Sequence, residues 1–330
     1  MSVSASGRGR HHTLVPLALL AGLLVSGPAL ATRCESLVRD PARQRSIPVA
    51  VTLPEAGAAL PVVIWSPGLG GGLAQGRRYA EAWAAAGIAT VQIEHPGSDA
   101  TVYREAAALA KAEDDPAAGQ RASAARVRAG ASGGQVAARL GDVALVHALL
   151  AGGDTLGACI TSRIDAANAG IAGHSMGAWV AQIMAGQALP GLMMSNLPPF
   201  RAALAISGSA LAPAAALPTS AAGIAMPFML VTGALDGAPE NADAAARAAN
   251  VKTRTALWPH LPAGDKYLLV LGRATHMQFD GSARNLTASI AARLLPATTD
   301  FWRANLADDT VAAARLKGFR PAEGEVFELR

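Results

Sequence analysis

The chain has 330 residues, enough for one large α/β domain or two small ones and for a substantial buried core. Apolar residues make up 51% and charged residues 16%, a balance that argues against disorder. The net charge is +4, the basic residues are scattered, and no aromatic-basic strip accompanies them, so nothing indicates a nucleic-acid surface.

The N-terminus reads as a secretory signal. Arg8, Arg10, His11 and His12 precede an apolar stretch over residues 14–25, and Ala29-Leu30-Ala31 offers a small-residue cleavage site. The stretch is too short to span a bilayer comfortably, so residues 1–31 are expected to be removed, leaving no stable membrane anchor. A retained anchor is the alternative. There is no twin-arginine pair, and Arg33 before Cys34 argues against lipidation. Loss of Arg8 and Arg10 takes 28 basic residues to 26 against 24 acidic ones, a net charge of +2. Cys34 and Cys159 both survive cleavage and would meet an oxidising compartment, secreted or periplasmic. They form either a disulfide or two buried thiols, and two cysteines cannot make a structural zinc site.

Residues 47–53 read as a strand closed by Pro54, and residues 62–65 as a second, fully apolar one. The latter runs into Ser66-Pro67-Gly68-Leu69-Gly70-Gly71-Gly72, a loop whose backbone N–H groups can approach a ligand closely. It lacks the ending of a P-loop and the spacing of a dinucleotide fingerprint, so no cofactor is expected there. A helix over 77–86 and a strand over 88–94 follow, then His95-Pro96-Gly97-Ser98, with His95 read as a loop or cleft-wall residue. Residues 101–138 read as an irregular surface insertion. Residues 139–151 are helical, with Val143, Val146, Leu149 and Leu150 on one side and His147 at the surface or core edge.

A short strand over 168–172 leads to Gly173-His174-Ser175-Met176-Gly177, and a helix over 178–185 follows. The bare G-x-S-x-G pattern is weak, but between a strand and a helix it reads as a nucleophile elbow, with Ser175 lifted above the sheet on a strained turn. The surface insertion 101–138, the segment 187–200 with Met193 and Met194, and the Ala/Pro-rich segment 208–226 are expected to shape the pocket. Strands are expected at 203–207, at 227–232 running into Asp236, and at 267–271 running on to His276. Helices are expected at 241–249, 283–294 and 300–316.

Strands alternating with helices imply a mostly parallel central sheet with helices on both faces, where active sites gather at the C-terminal strand ends. Ser175, Asp236, His276 and the glycine loop all lie there. A serine hydroxyl needs a base to take its proton, and a histidine held by an acid supplies one. His276 is the candidate base and Asp236 the orienting acid, with Asp265 and Asp280 as fallback acids. The order Ser, Asp, His is that of α/β-hydrolases.

The chain resembles the secreted α/β-hydrolases of the dienelactone-hydrolase-like group, which border on platelet-activating-factor acetylhydrolases and bacterial polyester hydrolases. The residues that carry the resemblance are Asp40-Pro41-Ala42-Arg43, residues 62–71, His95-Pro96-Gly97-Ser98, Arg139 with Asp142-Val143, Gly173 to Gly177, Asp236, and Gly264-Asp265-Lys266-Tyr267 through His276-Met277. The resemblance implies a single α/β-hydrolase domain over 32–330 and a serine carboxylesterase without metal or organic cofactor. It also implies an oxyanion hole from the N–H groups of Met176 and Leu69. Dienelactone hydrolases proper use a cysteine nucleophile, so their lactone substrate does not carry over to Ser175. The substrate is a small-molecule or polymeric ester. A lipase or polyester hydrolase is the alternative enzyme, and a catalytically dead binding protein on the same fold is the alternative outside catalysis.

Overall fold

A computed structural model describes residues 1–4, 31–189 and 197–330. The predicted signal stretch and Met193 and Met194 lie outside the described residues. Among the described residues, no helix is long and apolar enough to cross a membrane.

The described strands form one nine-stranded sheet, and alternation along its central strands explains why it is covered on both sides. In β3 (Leu60–Ser66), Val62 and Ile64 join one apolar core while Val63 and Trp65 join the other. β7 (Phe228–Leu235) and β8 (Lys266–Thr275) divide likewise: Leu230 and Val270 face one core, Val231 and Leu271 the other. The first core is closed by α4 (Gly133–Ala151) and α5 (Met176–Met184), through residues such as Leu140, Val143, Val180 and Ile183. The second is closed by α1 (Arg77–Ala85), α8 (Ala288–Leu306) and α9 (Thr310–Lys317), where Tyr79, Trp83, Phe301, Trp302 and Leu316 are buried.

The remaining strands are β1 (Thr32–Asp40), β2 (Arg45–Leu53), β4 (Ala89–Ile93), β5 (Ile164–His174), β6 (Ala202–Ile206) and β9 (Val326–Leu329). The order is β1-β2-β4-β3-β5-β6-β7-β8-β9. The six strands from β4 to β8 in that order run parallel, while β1, β2 and β9 pair antiparallel. The C-terminal ends of the parallel strands therefore lie along one rim, where the predicted site residues sit.

Several predicted elements change. Residues 101–138 are helical rather than irregular: α2 (Thr101–Ala112) and α3 (Pro116–Gly130) form a hairpin, and α4 begins at Gly133. Only Val102 and Ala106 of α2 are buried, so the hairpin lies mostly at the surface although its residues are helix formers. Asp115 caps α3 by accepting from the N–H groups of Ala117 and Ala118 at 2.9 and 3.2 Å. α8 runs through Pro296, and the break to α9 falls where Asp309 caps the following turn. The helix expected at 241–249 is α7 (Ala244–Arg254), and the short α6 (Leu217–Ala221) lies in the Ala/Pro-rich segment.

Of the two readings of the cysteines, the structure has the disulfide. Cys34 on β1 is bonded to buried Cys159 in the turn before β5, with a Cα–Cα distance of 5.7 Å and a sequence separation of 125 residues. A bridge over so long a loop restricts the unfolded chain, by about 2–5 kcal/mol in comparable cases. Cys34→Ser with Cys159→Ser is expected to lower the melting temperature by roughly 5–10 °C, read by thermal denaturation; an unchanged melt would contradict this.

Candidate active site

Ser175 occupies a turn that few residues can adopt, with φ 56° and ψ −118° between β5 and α5. Its N–H donates to the Ile206 carbonyl at 2.9 Å, tying the turn to β6. The flanking glycines are required by space. A Cβ on Gly173 would overlap the Gly177 carbonyl, and one on Gly177 would overlap the Ser66 carbonyl. Gly68 lies as close on the other side, where an added Cβ would stand 3.3 Å from both the His174 ring and the Ser175 Cβ.

His276 opens a 3₁₀ turn directly after β8. Its Nε2 lies 3.0 Å from Ser175 Oγ and its Nδ1 lies 2.7 Å from Asp236 Oδ1. Asp236 is fully buried, and its second oxygen accepts from Thr232 Oγ1 at 2.7 Å. Arg254, at the end of α7, places Nη2 3.1 Å from Asp236 Oδ1 and donates from Nε to the Asp236 carbonyl at 2.9 Å. Burial by itself raises the Asp236 carboxyl, but the hydrogen bond from His276 and the Arg254 charge outweigh it and hold the group below its ordinary value. The fallback acids are placed elsewhere. Asp265 contacts Tyr267 and Lys317 near the start of β8, and Asp280 holds the N–H of Ser282 and the Asn285 amide.

The cleft above Ser175 has a volume of about 220 Å³ and is lined in part by Leu69, Tyr103, Met176, Trp179, His276 and Met277. The candidate oxyanion donors, Leu69 and Met176, both border it. Neither of their N–H groups donates to a protein acceptor among the described residues. Tyr103 comes from the helical hairpin, so the 101–138 segment borders the cleft. Among the described residues, no three or more His, Cys, Asp or Glu side chains cluster as a metal site.

Three contributors carry no catalytic signature in the sequence. His174 lies behind Ser175, with Nε2 donating to the His276 carbonyl at 2.9 Å and the two imidazole centroids 4.7 Å apart. Its place inside the pentapeptide was the only signal. Arg254 and Thr232 reach Asp236 through contacts that no motif records.

His95 lies in the loop after β4 and does not line the cleft. It is fully buried, with Nδ1 3.0 Å from Asp142 Oδ2 and Nε2 3.0 Å from Ser66 Oγ. The residue types and ring-nitrogen pairings match those of Ser175, His276 and Asp236, with the acid 3.0 rather than 2.7 Å away, but the cluster is sealed from solvent. Ser66 also lies 3.5 Å from the Nη1 of buried Arg139. Burial pulls the His95 imidazole down to about 4 against the opposing bond to Asp142, with the Arg139 charge adding to the fall. Burial, helped by the facing His276, pulls His174 down to about 3. Both rings are neutral in the fold but protonate near 6.5 once unfolded, so the unfolded chain takes up more protons at acid pH. Stability present above pH ~6.5 should therefore be lost as the pH falls toward 4, with the melting temperature dropping by roughly 5 °C or more. A melting temperature constant from pH 7 to 4 would refute these neutral burials.

This arrangement of a serine at a strand-to-helix elbow, a hydrogen-bonded histidine and a buried acid on a mostly parallel sheet is the α/β-hydrolase fold. Residues 153–261 match the FSH1 serine hydrolase family model, a segment that holds Ser175 and Asp236 and ends before His276. Among solved structures the chain is similar to the 2,6-dihydroxy-pseudo-oxynicotine hydrolase. The TM-score is 0.50 at 16% identity, covering 84% of this chain and 68% of that one, a likeness of fold. No curated protein matches the sequence. The family match and the fold together support a hydrolytic serine enzyme.

Proposed function

We propose that the protein is a serine carboxylesterase of the secreted dienelactone-hydrolase-like group, with Ser175, His276 and Asp236 as its triad. The reading rests on one observation above all: Ser175 Oγ, His276 and buried Asp236 form a continuous hydrogen-bonded chain at 3.0 and 2.7 Å. Ser175 attacks the ester carbonyl while His276 Nε2 takes its proton, and Asp236 holds the imidazolium. The oxyanion rests on the N–H groups of Met176 and Leu69, the first also lying at the positive end of α5. The alcohol leaves with the proton from His276, and water repeats the sequence on the acyl-enzyme. Residues 32–330 act as one catalytic domain after residues 1–31 are removed on export.

A second reading, a lipase or polyester hydrolase, is favoured by the cleft rim. Tyr103 and Met277 are 51% and 49% exposed there, leaving apolar surface for a long or polymeric substrate. A polymer-film assay beside a soluble-ester assay separates the two. The triad itself is tested with an organophosphonate serine probe: labelling at Ser175, located by peptide mass spectrometry, is the expected result. An unlabelled, folded protein would favour the binding-protein reading.

A further inference from the structure

Arg139 is among the largest fully buried side chains of the molecule, and the triad does not use it. Its guanidinium grips the loop that carries Leu69. Nη1 donates to the Pro67 carbonyl, Nη2 to the Gly68 carbonyl at 3.1 Å and to the Ser98 carbonyl at 3.3 Å, and Nε to Ser98 Oγ at 2.8 Å. One turn along α4, Asp142 is held by Arg45 at 2.8 and 2.9 Å and by His95. The carboxylate is therefore satisfied without a direct bond to Arg139.

These contacts fix the orientation of two successive peptide groups. In a trans peptide the C=O and the following N–H point in opposite directions, and no cis bond occurs among the described residues. Arg139 holds the Pro67 carbonyl, and the opposed Gly68 N–H donates to Gln75 Oε1 at 3.1 Å. Arg139 also holds the Gly68 carbonyl, and the opposed Leu69 N–H has no protein acceptor among the described residues. A carbonyl bonded to a buried cation is polarised, which strengthens the donor at the other end of the same peptide.

From this geometry we infer that Arg139 is a positioning residue for transition-state stabilisation, aiming and polarising the Leu69 N–H through the Gly68–Leu69 peptide. The inference rests on the esterase reading above and on Leu69 as an oxyanion donor. Arg139 is fully buried and does not line the cleft, so its effect belongs to the tetrahedral state and not to ground-state binding.

The test uses the full mature protein with Arg139→Gln and Arg139→Lys, after wild type has shown hydrolysis that depends on Ser175. Arg139→Gln is expected to lower kcat on the order of 10- to 100-fold with KM within about threefold, since removal of a whole oxyanion donor costs roughly 10²–10³. Affinity for an alkyl boronic acid, which forms a tetrahedral adduct on the serine, should fall by a similar factor. Arg139→Lys keeps the charge without the fork and should recover part of both losses. It also serves as the measured variant if the glutamine protein does not fold. Active sites are counted by phosphonate titration, so that kcat refers to folded enzyme. Boronate affinity at the wild-type value in a folded variant, or a lost kcat explained wholly by fewer active sites, overturns the inference and leaves the esterase reading standing. Wild type without turnover that depends on Ser175 overturns both.

Discussion

Ser175→Ala is expected to lower kcat by roughly 10⁴-fold or more while the melting temperature stays close to that of the parent. The reason lies in the division of labour at the elbow. The strained backbone is held by the Ser175 N–H to Ile206 bond and by the close approach of Gly173 and Gly177, none of which involves the hydroxyl. Removing Oγ therefore removes the proposed nucleophile and leaves the turn. Residual activity should come only from the polarising N–H groups acting on a water attack. Steady-state hydrolysis at high enzyme concentration would measure it, and turnover near the parent rate would remove Ser175 from the mechanism.

Asp236→Asn should be nearly as damaging, with kcat lower by about 10³–10⁴-fold. Asp236 Oδ1 accepts from His276 Nδ1, which leaves Nε2 facing Ser175 Oγ as the proposed base. An asparagine that turns its NH₂ toward His276 forces the opposite tautomer, with the proton on Nε2 and no base facing Ser175. Thr232 and Arg254 sharpen the effect, since they are arranged around a carboxylate and Arg254 would lose its ion-pair partner. Asp265→Asn, placed away from the histidine, should leave kcat within about twofold. Equal losses in the two variants would mean that Asp236 matters for folding and not for the tautomer.

How far the sequence could be read follows from the range of the interactions involved. The elbow was legible because its constraints are local: two small residues, a strand before and a helix after. Asp236 and His276 were legible as polar residues just beyond apolar strands, a pattern of a few neighbours. β1 was not, because Arg33, Glu35, Arg39 and Asp40 break its apolar character and it is defined by its antiparallel register with β2. β9 is similar, a largely exposed edge strand fixed only by pairing with β8. The α2–α3 hairpin is rich in alanine and nearly free of buried side chains, and its charged run from Lys111 to Asp115 and small residues from Ala129 to Gly134 read as irregular surface chain. Most hidden were the polar contacts behind the site. Arg139 reaches Pro67 and Gly68 across 72 and 71 positions, and His174 reaches His276 across 102. Such pairs exist only after the sheet has brought its strand ends to one rim.

The most direct measurement is hydrolysis of p-nitrophenyl esters of rising acyl length by the mature protein, with Ser175→Ala alongside. Turnover by the parent that vanishes in the variant is the expected result, and the chain-length optimum then separates small-ester from lipid-like substrates. A correctly folded parent that hydrolyses none of the series, or a variant that hydrolyses it equally well, would contradict a serine esterase built on Ser175.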